Sequence, residues 1–386
     1  MTSKFIKSRK FANNILHLTF QHEEMDHSLI NAFRRIIIGE NLTYSLRGDF
    51  SPNTGNSKIL LNTSCFNDEY LINRIHMIPL DQKLASENTE LVFHLCRLAD
   101  TKQPIINDGD VDIIISAHHF QIYDNTGNKS KIDVKEIIPY DFPLIKLRKG
   151  QEFHLFVKPE IGIGRRNATW KSCTATMKYE NLISNMSDKE IKESKIKTNA
   201  ITGAPLETLQ DKKNYPKNNL GNPINISLTL KSNGHMNVED CFRTTLDTLE
   251  NKLRNIRLLI SNPMTNHDDK STTVEIIPSS DIEHFLQVKI TDPDKTLLPM
   301  ATHTIGNLLA EHMNYRLLKM TNNNMDKIRE SMAAYLNPHP LDSVIYIKIK
   351  TPDTLYKNTD NPSLRLLDDT IEDILGYISK IRTEFK

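Results

Sequence analysis

No stretch of this 386-residue chain approaches the roughly 18 consecutive apolar residues of a membrane span. Its first twenty residues (MTSKFIKSRKFANNILHLTF) also lack the unbroken apolar run of a signal peptide. A soluble, intracellular protein is expected. An excess of either charge is missing too. With 49 Lys and Arg against 48 Asp and Glu, the global field gives no drive toward nucleic acid or an anionic membrane. The four cysteines, Cys65, Cys96, Cys173 and Cys241, are widely scattered, so no CxxC half-site for zinc or redox chemistry exists. They read as buried free thiols in a reducing compartment.

Catalytic and ligand motifs are equally scarce. Nothing such as G-x-S-x-G fixes a serine-histidine-acid set. Gly162-Ile163-Gly164 lacks the third glycine of a dinucleotide fingerprint, where Asn167 stands, and reads as backbone geometry. Asp108-Gly109-Asp110-Val111-Asp112 has a D-x-D-x-D spacing, but it leads into a strand that would aim Val111 and Ile113 inward. A calcium loop counted from Asp108 would end on His119 instead of a bidentate Glu. A solvated turn is the better reading. His118 and His119, adjacent on an expected strand, would face opposite ways and cannot share a ligand.

What is present is an ordinary globular composition, 38% apolar and 25% charged, long enough for two or three domains of roughly 150 residues. Polar stretches at Asn181–Pro223, Ser261–Ser280 and Leu318–Ser331 read as loop or linker. Between them, β-branched runs predict strands at Val111–Ser116, Phe153–Val157, Ile224–Leu230, Phe285–Ile290 and Val344–Ile349. In the last, Ile345, Ile347 and Ile349 alternate with Tyr346, Lys348 and Lys350, the pattern of a sheet covered on one side.

Two segments carry apolar residues at alternating spacings of four and three. One runs Phe242, Leu246, Leu249, Leu253, Ile256, Ile260; the other runs Leu364, Leu367, Ile371, Ile374, Ile378, Ile381, Phe385. Such narrow stripes suit a partner helix. A helix lying on its own sheet needs the same stripe, so spacing leaves both arrangements open. A repeat adds to this. His27-Ser28-Leu29-Ile30-Asn31-Ala32-Phe33 and His303-Thr304-Ile305-Gly306-Asn307-Leu308-Leu309 share H-[ST]-[LI]-x-N-x-[FL], with Ser28 and Thr304 as candidate helix caps. A Pro-Leu-Asp tripeptide follows each copy, at Pro79–Asp81 and Pro340–Asp342. The inference is two related halves, each with a helix near its start and a longer one at its end, packed together through their apolar helix faces.

The first half resembles subunit 3 of eukaryotic RNA polymerase II, the archaeal D subunit and the N-terminal part of the bacterial alpha subunit. The residues that carry this are Asn31-Ala32-Phe33-Arg34-Arg35 with Glu40, Asn62-Thr63-Ser64, Asp68-Glu69 through Arg74, and Ile78-Pro79-Leu80. Further on come Lys146 to Glu152, Gly162 to Gly164 with Trp170, Ser232 with Gly234, and Asp247 to Leu249 with Lys252. The second half resembles subunit 11 and the archaeal L subunit, through His303–Leu309, Ala333-Ala334-Tyr335 and Pro338-His339-Pro340-Leu341. Joining both in one polypeptide resembles the polymerases of large cytoplasmic DNA viruses, which would put the protein in the virion and the host cytoplasm.

The resemblance implies an α+β fold. Two alpha-like dimerisation modules would form an intramolecular pseudo-dimer: residues 1–48 with 152–262, and 281–386, joined by a linker at 263–280. A mostly β domain, 49–151, would be inserted in the first module. The implied interface comprises Leu29, Phe33, Ile37, Phe242, Leu246, Leu249, Leu253, Ile256, Ile305, Leu308, Leu309, Leu367, Ile371, Ile374, Ile378 and Ile381. The resemblance also implies a noncatalytic assembly subunit of a DNA-directed RNA polymerase. Arg34, Arg35 and Glu40 would contact the second-largest subunit, with the largest subunit and a small subunit 10-like protein as further partners and no direct DNA binding. On spacing alone, Arg34 and Arg35 are solvated rim residues. Relatives carry a cysteine cluster in the insert; this chain has only Cys65 and Cys96 there, so neither metal nor cofactor is expected. The competing classes are a direct nucleic-acid binder and an enzyme with an unrecognised site.

Overall fold

The computed structural model describes residues 4–21, 25–51, 55–97, 103–180, 215–218, 221–261, 271–278, 285–293, 296–321, 331–339, 342–351, 356 and 361–386. The chain divides into two compact units. One holds 1–36, 175–230 and 242–386; the other holds 37–174 and 231–241.

In the first unit, β1 (Ile6–Ala12) and β2 (Ile15–Gln21) form an antiparallel hairpin with Ala12 opposite Ile15. The two-residue loop is Asn13-Asn14, both at positive φ (52° and 58°), which asparagine tolerates and which matches the twist of the strands. Helix α1 (His27–Gly39) follows, and β12 (Cys173–Tyr179) and β13 (Asn225–Ser232) complete a sheet ordered β1-β2-β13-β12. A long helix, α5 (Val238–Ser261), comes next.

The C-terminal segment winds the same way: β14 (Thr273–Pro278), β15 (Phe285–Thr291), α6 (His303–Met320), β16 (Met332–Leu336), β17 (Val344–Lys350) and α7 (Pro362–Glu384). Its sheet is ordered β14-β15-β17-β16, so each sheet places its strands first-second-fourth-third, with a helix after the second strand and a longer one after the fourth. On β17, Ile345, Ile347 and Ile349 are buried and Tyr346, Lys348 and Lys350 half-buried, as the alternation predicts. Thr273–Pro278, read as linker from its polar surroundings, is instead the first strand of this sheet. Most of the Asn181–Pro223 stretch, residues 262–270 and 322–330, and Pro340-Leu341 lie outside the described residues.

The second unit is built on a five-stranded sheet, β4 (Lys58–Asn62), β10 (Glu152–Val157), β5 (Val92–Leu95) and β8 (Phe120–Tyr123), with β6 (Ile105–Ile106) also on β10. Two strand pairs accompany it: β3 (Leu42–Ser45) with β11 (Glu160–Ile163), and β7 (Ile113–Ser116) with β9 (Pro143–Leu147). Helices α2 (Asp68–His76), α3 (Gln82–Glu87) and α4 (Val134–Ile137) contribute Leu71, Ile75, Ala85 and Ile137 to a core shared with Phe93, Phe120, Phe153 and Leu155. Asn67 caps α2 by accepting from the Tyr70 amide, and Asp81 caps α3 by accepting from the Leu84 amide. The expected insert, 49–151, falls wholly inside this unit, which also takes in residues on either side of it.

Three local features differ from what the sequence predicts. Val111 is 78% exposed and precedes β7, which begins at Ile113. His118 and His119 lie on a single 3₁₀ turn, Ala117–His119, not on a strand. Cys65 is exposed, whereas Cys96, Cys173 and Cys241 are buried thiols. The carboxylates of the D-x-D-x-D turn meet lysines, Asp110 with Lys149 at 2.6 Å and Asp112 with Lys146 at 2.8 Å.

Gly162 earns its place by close approach. A Cβ there would lie 2.3 Å from the ring of Trp170, whose indole N–H donates to the Glu160 carbonyl at 3.1 Å. The Gly162→Ala variant is therefore expected to displace that ring. Trp170 is the sole tryptophan, so the readout is a red shift of intrinsic fluorescence together with a lower unfolding midpoint; an unshifted spectrum would contradict the packing.

Candidate assembly site

The two halves of the first unit meet along α1 and α6. Asp26 and Thr302 hold equivalent positions one residue before the repeated motif, and they, not Ser28 and Thr304, supply the caps. Asp26 Oδ2 accepts from the Ser28 amide at 3.0 Å, and Thr302 Oγ1 accepts from the Ile305 amide at 3.4 Å. A capping side chain sits outside the first turn, two or three residues ahead of the amide it satisfies. Arg35 Nε donates to Thr304 Oγ1 at 3.4 Å near the C-terminal end of α1, while the charge of Glu311 acts on His27 at its N-terminal end. With Arg35 against Thr304 and His27 within electrostatic range of Glu311, the two helices run antiparallel. Gly306 lets Tyr335 lie against α6, since a Cβ there would be 2.8 Å from its ring, and the Tyr335 hydroxyl bonds His303 Nε2 at 2.7 Å.

The long helices pair in the same sense. Arg257 of α5 grips Asp368 of α7 with two bonds, 2.6 and 3.1 Å, and reaches Glu372 at 3.2 Å. At the other end, Arg382 of α7 meets Asp247 at 2.8 Å and Glu250 at 2.5 Å. Phe242 and Phe385 pack edge to face at 4.7 Å. The end of α7 also docks on β1: the Phe5 and Ile6 amides donate to the Glu384 carboxylate at 3.1 and 2.8 Å, and Arg9 lies 4.3 Å over the Phe385 ring while donating to its carbonyl.

All sixteen residues expected at the interface are buried: Leu29, Phe33, Ile37, Phe242, Leu246, Leu249, Leu253, Ile256, Ile305, Leu308, Leu309, Leu367, Ile371, Ile374, Ile378 and Ile381. Leu364, at the start of the second stripe, is only half-buried, and Leu366 is buried beside it. Arg34 and Arg35 are half-buried and adjacent, and among the described residues no carboxylate pairs with either. Burial, and then the neighbouring Arg35 charge, hold Arg34 below the ordinary guanidinium value; its Nε donates to Asn31 Oδ1 at 3.0 Å. Glu40 is buried, 4% exposed, and has an interaction within the chain. Sequence reading missed the contacts of Arg9 and Arg257, which join residues far apart in the chain.

Among the described residues no group of three or more His, Cys, Asp or Glu side chains is placed to hold a metal ion, and no helix is long and apolar enough to cross a membrane. Residues 19–253 match the model of the RNA polymerase Rpb3/Rpb11 dimerisation domain. The chain belongs to this family. Similar proteins include DNA-directed RNA polymerase subunit Rpo3 of Pyrobaculum arsenaticum, 28% identical over 161 residues that cover 39% of this chain and 54% of that protein. Subunit 3B of RNA polymerases IV and V from Arabidopsis thaliana is 28% identical over 179 residues, 42% of this chain and 53% of its own length. A conjugation stage-specific protein of Tetrahymena thermophila is 25% identical over 187 residues, 42% and 55% of the two chains. The chain thus spans about half the length of the curated relatives it matches. The Rpb3/Rpb11 match takes in α1, the second unit and part of α5, and ends before α6 and α7.

The start of α1 makes the site sensitive to pH. His27 Nδ1 donates to Asp26 Oδ1 at 2.9 Å, and that bond raises the imidazole above its ordinary 6.5 despite partial burial. Burial pushes the Asp26 carboxyl up, but the bonds and charge of His27 and the bonds from Ser28 outweigh it and leave the carboxyl below 3.8. The His27 contribution is complete below pH 6.5 and fades as pH rises through its folded value; that of Asp26 is complete above pH 3.8 and fades as pH falls through its own. The His27→Gln variant is thus expected to lose more stability at about pH 5.5 than at about pH 9, measured by urea unfolding. An equal loss at both would contradict the pairing.

Proposed function

We propose that this chain is a noncatalytic assembly platform of a multisubunit DNA-directed RNA polymerase, combining the roles of subunit 3 and subunit 11 in one polypeptide. The observation that carries this is the duplicated winding: two sheets of identical strand order whose helices meet in antiparallel pairs, α1 with α6 and α5 with α7. A family defined by dimerisation, and relatives named as polymerase subunit 3, support the first half; the shared topology and the His-Thr-Ile-Gly-Asn-Leu-Leu segment support the second. The two modules then form an intramolecular pseudo-dimer, and the residues around 49–151 an insert in the first. Tethering makes the pairing unimolecular, at an effective concentration on the order of millimolar, so scarce modules still associate. Such a fusion suits a viral polymerase assembled in a host cytoplasm and packed into virions.

The platform would dock the second-largest subunit through Arg34 and Arg35. Two adjacent guanidinium groups with no carboxylate among the described residues repel one another, and both gain from an acceptor on a partner. Glu40, being enclosed, is left out of this contact. The largest subunit, which holds the polymerase chemistry in this reading, and a small subunit 10-like protein would follow. Nucleic-acid binding by the isolated chain is not part of the role, given its near-neutral charge.

Coexpression with the second-largest polymerase subunit of the same genome is the test. The wild-type chain is expected to retain that subunit through affinity purification. The Arg34→Ala, Arg35→Ala double variant should stay folded and lose roughly tenfold or more of it, as expected when charge-assisted bonds are removed. Retention at the wild-type level would refute the docking role. Salt-sensitive DNA affinity of the isolated chain would favour a nucleic-acid binder instead.

A further inference from the structure

Helix α2 and strand β9 of the second unit enclose an open groove of about 360 Å³ lined by Tyr70, Arg74, Met77, Ile78, Phe142 and Leu144. Its rim is unusually apolar for a surface: Met77 is 64% exposed, Tyr70 44% and Phe142 37%, and Phe66, stacked on Tyr70 at 5.1 Å, extends the patch. Contiguous exposed apolar side chains of this kind mark contact surfaces more often than solvent-facing ones.

Arg74 gives the groove its polarity. One terminal nitrogen donates to the Tyr70 hydroxyl at 3.1 Å and the other to the Pro143 carbonyl, which fixes the guanidinium against the groove wall. Its Nε is buried without a hydrogen-bond partner, and among the described residues no carboxylate pairs with the charge. Asp68, at the start of α2, accepts from Asn62, and Asp141, beside Phe142, accepts from the His118 amide, so these two nearby acids are engaged elsewhere. Each terminal nitrogen carries two N–H groups and spends one on these bonds, so a held cation with a second N–H on each exposed nitrogen, beside an apolar floor, is complementary to an anionic acceptor carried next to an apolar side chain.

We propose that this groove receives a peptide segment of another protein that carries a large apolar side chain beside a carboxylate. The side chain fills the space between Met77 and Phe142, and the carboxylate accepts from Arg74. The proposal does not depend on the polymerase reading, because it rests on the groove's own chemistry.

The experiment measures fluorescence anisotropy of two labelled peptides with the full chain: Gly-Ser-Asp-Leu-Phe-Glu-Ser-Gly and its amide twin Gly-Ser-Asn-Leu-Phe-Gln-Ser-Gly. Saturable binding of the acidic peptide is expected, with the amide twin weaker by roughly tenfold or more, the effect of losing a charge-assisted bond. Arg74→Gln and Met77→Glu should each weaken the acidic peptide by about as much, with unchanged circular dichroism. Met77 is a surface residue, so its variant decides the matter even if Arg74→Gln fails to fold. Equal binding of the twins, undiminished binding to Met77→Glu, or no saturation up to about 1 mM would overturn the proposal.

Discussion

Two long helices whose apolar stripes are too narrow to be self-sufficient are the constraint on which the rest of the first unit depends. Phe242, Leu246, Leu249, Leu253 and Ile256 on α5, and Leu367, Ile371, Ile374, Ile378 and Ile381 on α7, are all essentially inaccessible to water. Burying such side chains contributes about 1.5 to 3 kcal/mol each, an upper bound set by an extended reference chain. The ion pairs between the helices are partly solvated; pairs of that kind are worth about 0.2 to 1 kcal/mol. Apolar burial therefore outweighs the ion pairs in stabilising these helices. The charges decide the alignment: Arg257 with Asp368 and Arg382 with Asp247 and Glu250 are satisfied only when the helices run antiparallel with Phe242 against Phe385.

That alignment reaches beyond the helices. Because α7 ends beside Phe242, its last turn meets the edge of the N-terminal sheet, where Glu384 accepts the amides of Phe5 and Ile6 at the start of β1, groups that an edge strand would otherwise leave to solvent. The segment most distant in sequence thus ties down the start of the first sheet's edge strand. At the opposite crossing, α1 delivers Arg34 and Arg35, with which no carboxylate among the described residues pairs, while its inner face is buried. A helix that must pack on one side and has two adjacent cations at its rim is well suited to join an internal interface to an external one.

Much of this was legible in the chain itself, for physical reasons. The stripes of α5 and α7 stand out because a helix buried on one face repeats its apolar residues near every 3.6 positions, and β17 because a half-covered sheet alternates with period two. The hairpin β1–β2 is hidden because β1 is rich in Lys, Arg and Ser and all its residues but Ile6 and Ser8 are exposed; the Asn13-Asn14 pair is the available signal. Strand β14 was masked by the polar run before it. The caps are misplaced because Ser28 and Thr304 fit a capping pattern that Asp26 and Thr302 fulfil two positions earlier. Contacts such as Arg35 with Thr304 join positions 269 residues apart, and no local pattern encodes them.

The central claim, that the two halves are held by their own helix faces and not by the chain that joins them, can be measured directly. A site-specific protease sequence placed between Ser261 and Ser271 would allow the folded protein to be cut there, and sedimentation equilibrium would report the mass afterwards. A single species near the uncut 44.4 kDa is the expected result. Two separately sedimenting, folded fragments would contradict it.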